Sequence, residues 1–368
     1  MRHTTPHQQL YTSLNQTQMI KPHSMIYLIV LLALNFSCTE KKSPEKNVFQ
    51  AEHTPLKTDS LTFTSSIRAI FEDSQGNFWF GSHQEGVALF DGKSFTYYTT
   101  NEGLADNQIR SIQEDHNGTI WLGTANGVSS YKKEMITNHI AVPQSEWMKT
   151  DTDLWFNAGN QEGVYRYNGQ TLSYLAFPSS KTTNTDYFYA VTGLSKGKNN
   201  MIWMSTYASV FGYNGTNLSS INNESLGLDI EAAPLHVRSI LEDSKGRLWI
   251  GNNGIGVLLK EGDSIVNFSE KNNLIHPAST RRGDQSPPGT LEHVFTITED
   301  SQGNIWFGDR DAGVWKYDGK TMTNYTQNDG LTSNFAQSIY EDKNGQLWFG
   351  TFDGNVFTFN GTSFEKRF

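Results

Sequence analysis

The sequence predicts an all-β fold, a seven-bladed β-propeller of four-stranded antiparallel blades. Two observations predict it. The first is a phrase written repeatedly along the chain. Glu72-Asp73-Ser74-Gln75-Gly76-Asn77-Phe78-Trp79-Phe80-Gly81 returns as Glu299-Asp300-Ser301-Gln302-Gly303-Asn304-Ile305-Trp306-Phe307-Gly308. Trp79, Trp121, Trp155, Trp203, Trp249, Trp306 and Trp348 anchor seven copies. A strand-and-turn period of roughly 40–50 residues marks blades stacked around an axis. The second is composition: 22 Phe, 15 Tyr, 9 Trp and 32 Gly against only 10 Pro, among 368 residues, is strand-and-turn chemistry.

The N-terminal region precedes the repeats. Residues 1–18 are polar and lack an apolar period, and Met19 is a plausible true start. Met25 to Leu34 is an apolar run of a length suited to a signal-peptide core rather than a bilayer span. Lys21 precedes it, and Ser37 stands before Cys38, the one cysteine of the chain. This arrangement resembles a bacterial lipoprotein signal, with Asn35 where the usual box has an aliphatic residue. The expectation is a signal segment over 1–37, lipidation at Cys38, a tether over 38–60 rich in Lys, Glu, Ser and Thr, and a propeller over 61–368. With a single cysteine, no intrachain disulfide forms. The localisation this implies is the bacterial cell envelope, periplasm or outer membrane, with the membrane reached only through the lipid.

Each copy reads as two local hairpins. In the fifth, Val237 to Leu241 is a strand, Glu242 to Gly246 a turn, Arg247 to Ile250 a second strand, Val257 to Lys260 a third and Ser264 to Phe268 a fourth. An Asp heading a tight turn bonds the backbone two residues on, and the following Gly supplies a positive φ. Asp91-Gly92, Asn168-Gly169, Asn214-Gly215, Asp318-Gly319 and Asn360-Gly361 turn the later hairpins. The second strand is apolar at successive positions, as in Ile305-Trp306-Phe307, which requires both faces to be covered. Tryptophan spacings of 42, 34, 48, 46, 57 and 42 expose the irregular copies. The third is short and lacks the Asp-x-x-Gly turn, the fourth is blurred, and the 57-residue gap holds an insertion near Asn272 to Leu291.

The pattern Ile-x-x-Ile-x-Glu-Asp-x-x-Gly-x-Ile-Trp-Phe-Gly resembles the two-component-regulator propeller repeat, closely in copies one, two, five, six and seven. Those repeats build extracytoplasmic sensors of bacterial hybrid histidine kinases and also occur free-standing. The resemblance covers the chain after Leu61 and implies a binding and sensing role. In such propellers the first strand of each blade lines the channel, and the interblade loops share a face with the loops between strands two and three. That geometry nominates Arg68, Arg110 and Arg238, all at one repeat position, at the channel mouth. Loops between strands two and three bring His83, Gln84, Glu85, Asn126, Tyr207, Asn252, Asp309, Arg310, Asp311 and Asp353. Interblade loops bring Tyr187, His236, Arg281, Arg282 and His293.

Arginine's planar fork suits carboxylates. One expectation is therefore an anionic or polyhydroxylated ligand such as an acidic oligosaccharide; the competing reading pairs these arginines with acids inside the ring. A partner protein docked on the same face, or a separate signalling protein, is a further possibility. An alternative of another class is a lyase acting on a polysaccharide or cyclic ester, since streptogramin lyases share Gly-x-x-Trp-Phe repeats. His83, His236 or His293 with Glu85 or Asp311 would then move protons. The recurring Glu-Asp pairs stand just before turns and read as fold rather than chemistry. A formal charge of −9, from 29 basic and 38 acidic residues, argues against nucleic acid. No Cys/His cluster, phosphate loop or calcium loop appears, and no cofactor is expected.

Overall fold

Seven sheets follow one another along the chain and close into a ring. The computed structural model describes residues 54–179, 189–228, 234–279 and 285–368, all within one compact unit. Cys38, Tyr187, Arg281 and Arg282 lie outside the described residues. No described helix is long and apolar enough to cross a membrane.

Blade one shows the plan. Its inner strand Ile67–Glu72 pairs antiparallel with Phe78–Ser82, then Val87–Phe90, then Phe95–Tyr98. Ahead of it, Lys57–Thr58 adds a short fifth strand to the outer edge. The second strands are buried along their whole length in blades two, five, six and seven, as a sheet covered on both faces must be. Tryptophans bridge neighbouring blades: the Trp306 ring lies 5.6 Å from Phe349 and 5.1 Å from Phe359 of the next blade.

The Glu-Asp pairs make polar seams along the face opposite the channel mouth. Asp73 Oδ1 accepts the N–H of Gln75 and Asn77, and its Oδ2 accepts Trp79 Nε1 at 2.9 Å. Asp115, Asp243, Asp300 and Asp342 hold Trp121, Trp249, Trp306 and Trp348 in the same way at 2.8–3.0 Å. One carboxylate thus closes a turn and fixes the ring that packs on the next blade. The preceding glutamate reaches back to the neighbour. Ser301 of blade six donates its N–H to Glu341 of blade seven at 2.7 Å, and Lys343 of blade seven donates its N–H to Glu72 of blade one at 2.8 Å.

That last bond helps close the ring. Ser338 Oγ donates to Ile67 O at 2.9 Å, and Phe368 packs against Phe90, Phe95 and Trp348. Closure is by side-to-side packing, since blade seven takes all four of its strands from its own copy.

Blade three departs from the plan. Its sheet runs, from rim to channel, Val142–Gln144, Leu172–Ala176, Gly163–Tyr167 and Leu154–Asn157, and the rim pair is parallel. Its neighbours identify Leu154–Asn157 as a second strand. Trp121 meets Phe156 at 6.4 Å and Tyr167 at 3.9 Å, as Trp249 meets Phe307 at 5.6 Å and Tyr317 at 6.0 Å. Among the described residues no inner strand stands in blade three, and Val142–Gln144 runs along the rim instead. Six described inner strands surround the axis of seven blades. The lost Asp turn is replaced by Asp153, which accepts the N–H and hydroxyl of Thr150 and pairs with buried Arg166. Trp155 Nε1 accordingly has no partner.

Replacing Asp300 by Ala should lower urea-unfolding stability by about 3 kcal/mol or more, because it orphans buried donors at about 1–3 kcal/mol each. Replacing exposed Asp318, which caps only its own hairpin turn, should cost much less, since water takes over the freed turn donors. Equal losses would refute the dual role of the Asp300 carboxylate.

Candidate ligand-binding cavity in the central channel

Each of the six inner strands slips register at its second residue. Ile67 pairs with Ser82 and Ala69 with Gly81, leaving Arg68 out of the ladder. The same bulge isolates Arg110, Thr192, Arg238, Phe295 and Gln337. A bulge turns its extra residue away from the sheet's alternation. Here all six bulged residues line one central cavity of about 500 Å³, a volume within the range of small-ligand sites. The loops between strands two and three are tied to the same end: the N–H groups of His83, Asn253, Arg310 and Phe352 donate to Ser66, His236, His293 and Phe335 O at 2.9 Å each.

Three guanidiniums therefore face one space. Arg68 Nη1 lies 3.2 Å from His83 Nδ1, and Gln108 Nε2 approaches the same nitrogen at 2.7 Å. Arg110 donates to Gly159 O at 2.8 Å and to Gln108 Oε1 at 3.2 Å. Arg238 donates to the Tyr207 hydroxyl at 3.0 Å and lies between the Tyr207 and Phe295 rings, 4.9 and 4.7 Å from their centroids. Phe295 continues an aromatic row through Phe335 to Phe352, whose ring is half exposed at the mouth. No Asp or Glu lines the cavity among the described residues. Burial, reinforced by Arg110 and Arg238, brings the Arg68 pKa down to about 10. Burial likewise lowers Arg110, and burial with Arg68 and Arg110 lowers His83. Arg110 Nε, Arg238 Nε, Ser111 Oγ, Ser239 Oγ and Asn157 Oδ1 are sealed from bulk solvent without a protein partner.

Of the sequence-nominated residues, the cavity unites Arg68, Arg110, Arg238, His83 and Tyr207. His236 sits behind Tyr207, edge to face at 4.6 Å. Glu85 is turned away, accepting the N–H groups of Thr64 and Ser65 at 2.9 and 2.7 Å. Asn252 is fully buried and accepts the His236 N–H. Asp309, Arg310, Asp311 and His293 form a separate cluster in blade six. Asp309 accepts N–H groups from Glu292, His293, Asp311 and Ala312, while burial raises its pKa to about 7. Arg310 pairs with Asp311 at 2.7 Å, and His293 Nε2 stands 4.0 Å from the same carboxylate. This cluster clasps the insertion. Glu292 accepts the His276 N–H and the hydroxyls of Ser279 and Ser286, and Asp311 accepts the Ser286 N–H.

Gln108, Ser111, Asn157, Asn160, Thr192, Phe295, Gln337 and Phe352 were not among the nominated residues. Thr192, Phe295 and Gln337 occupy the repeat position of the three arginines, so alignment of the copies was signal enough. Asn157 reaches the cavity from a second strand that no described inner strand covers, and Asn160 from the loop between strands two and three, as His83, Tyr207 and Phe352 do.

Five segments, residues 61–84, 103–126, 233–254, 289–311 and 330–353, match the family described as Two component regulator propeller. They span blades one, two, five, six and seven. Histidine kinase P4 of Formosa agariphila is 24% identical across 77% of this chain and 25% of that protein. The extracellular domain of a putative hybrid two component system from B. thetaiotaomicron superposes with a TM-score of 0.61 at 20% identity, over 84% of this chain and 42% of that one. Virginiamycin B lyase from Staphylococcus aureus gives a TM-score of 0.59 at 15% identity, over 82% and 97%. Both structural likenesses are of fold. The chain spans a quarter of the kinase's length and about two fifths of the hybrid-system domain.

Burial, with help from Arg238 and His293, lowers the His236 pKa from 6.5 to about 4. The unfolded chain therefore takes up the extra proton between those values, and acidification destabilises the fold. The contribution is intact above pH 6.5 and lost as pH falls towards 4. Across that window the melting temperature of the wild type should fall more steeply than that of His236→Gln; parallel slopes would contradict the assignment.

Proposed function

We propose that this chain, a member of the two-component regulator propeller family, is an extracytoplasmic sensory propeller that binds an anionic carbohydrate at the mouth of its central channel. One observation carries the reading: three arginines converge in a cavity whose described lining holds no carboxylate. Desolvated guanidiniums cost free energy unless an anion meets them, and the overall charge of −9 makes their convergence run against the composition. The rest of the lining suits a polyhydroxylated partner. Gln108, Asn160, Gln337 and Ser66 offer hydrogen bonds in both senses, and the exposed Phe352 ring offers a flat apolar face for a sugar ring.

The extracytoplasmic placement is supported by the relatives, which are extracellular domains of two component systems. The N-terminal apolar run and Cys38 support a lipid anchor. The kinase relative supports a histidine kinase as the signalling output of the propeller. His83 shares its Nδ1 with Arg68 and Gln108, while Glu85 is engaged with Thr64 and Ser65. That arrangement favours binding over proton transfer.

Titration calorimetry against tri-galacturonic acid and neutral tri-galactose should show preference for the acid. The Arg110→Ala/Arg238→Ala double variant should lose at least about 100-fold in affinity, given about 1.5–3 kcal/mol for each charge-assisted bond. Unchanged binding by that variant would sink the proposal. Cys38→Ser should move the protein from the membrane fraction to the soluble fraction; continued membrane association would rule out the anchor.

A further inference from the structure

The vacancy in blade three is more than a missing strand. It lies between the inner strands Ile109–Glu114 of blade two and Val191–Lys196 of blade four, with Leu154–Asn157 behind it, Trp155 and Phe156 buried and Leu154 and Asn157 half-buried. Two side chains of blade two bridge its ends. Gln113 Nε2 donates to Trp155 O at 2.9 Å, and Arg110 Nη1 donates to Gly159 O at 2.8 Å. Between these bridges stand Arg110 Nε, Ser111 Oγ and Asn157 Oδ1, buried and unmatched by protein. The central cavity extends into this space, since Ser111, Asn157 and Thr192 all line it.

The chemistry of the gap is two-sided. Trp155 O is aimed into it, and the strand's period of two turns the peptide group of Asn157 the same way. An uncovered strand edge presents both N–H donors and C=O acceptors. To these the gap adds donors from Arg110, an acceptor at Asn157 Oδ1, and the Ser111 hydroxyl, which serves as either. Sulfate or phosphate would satisfy Arg110 and leave the acceptors unmet. A neutral sugar would satisfy the acceptors but bring no charge to the guanidinium, whose Nη donors already hold Gly159 O and Gln108 Oε1 while Nε stays open. Leaving a buried polar group unmet is what makes such sites discriminate.

We propose that the blade-three vacancy is a subsite for a hydroxy acid, the uronic acid residue of a carbohydrate, with its carboxylate on Arg110 and its hydroxyls on Asn157 and the open strand edge. This rests on the preceding reading that the channel holds an anionic carbohydrate, and it assigns Ser111 and Asn157 as specificity-determining residues. Neither was visible as functional in the repeat pattern. Blade three alone has an uncovered second strand facing the channel among the described residues.

The test uses the full chain, with tri-galacturonic acid, tri-galactose and inorganic sulfate as probes in titration calorimetry. Asn157→Leu/Ser111→Ala should weaken tri-galacturonic acid by about 30- to 100-fold, while sulfate binding at the three arginines, all retained, changes less than about twofold. Asn157→Asp should also weaken it, by setting a carboxylate against the ligand's own; it guards against loss of binding through misfolding, as does an unchanged melting temperature. If these variants bind tri-galacturonic acid as the wild type does, while Arg110→Ala/Arg238→Ala does not, the subsite falls and the channel reading stands. If the wild type binds sulfate and tri-galacturonic acid equally, the hydroxy-acid specificity falls. If it binds none of the probes, both readings fall together.

Discussion

A sheet that is apolar on both faces needs a neighbour on each side, and the architecture follows from that need. Trp306 of blade six is buried against Phe349 and Phe359 of blade seven. Blade seven in turn is covered by blade one, so the series must close. Most of the free energy of this arrangement comes from apolar area removed from water between blades. Direction and spacing come from polar seams. The carboxylate of Asp300 fixes the indole of Trp306, and Glu341 grips the turn that carries Asp300. Stacking and hydrogen bonding thus specify the same arrangement at each regular interface.

Closing the ring creates a second problem, a channel lined by the inner strands. Regular alternation would send some side chains into the axis and others between blades. The bulge at the second residue of each inner strand sets six residues apart from that alternation and gives them the cavity. Their identities differ from blade to blade, whereas the apolar contacts between second strands and their neighbours recur. Three are arginines, one is aromatic and two are polar. The conserved plan of the blade and the individual character of the site are therefore written at different positions of the same repeat.

Irregularity is concentrated in blades three and six. Blade three has traded its inner strand for a strand on the rim, which opens the wall beside Arg110. Blade six has gained an insertion held by the buried Glu292 carboxylate and by Asp311. The histidine and carboxylates of that cluster serve this clasp and the turn at Asp309, not the channel. A cluster of titratable residues in loops is thus structural here, while the three arginines of the cavity come from within strands.

The repeats by themselves determined the blade count, the strand order within a regular copy, the Asp-Gly turns and the alignment of Arg68, Arg110 and Arg238. These are local or periodic properties, and a repeat states them once per copy. The sequence also marked copy three as short, with only 34 residues between Trp121 and Trp155. It did not say which strand had gone, because Val142-Pro143-Gln144 reads locally as an ordinary connection. Only the folded ring decided that this segment pairs with the outer edge, that Phe156 and Tyr167 hold the second and third places, and that Asn157 faces the channel. It also brought the three arginines into a cavity whose described lining holds no carboxylate. Both outcomes depend on which residues of distant copies come to share one space, and that is set by the closure of seven sheets around an axis rather than by any stretch of chain.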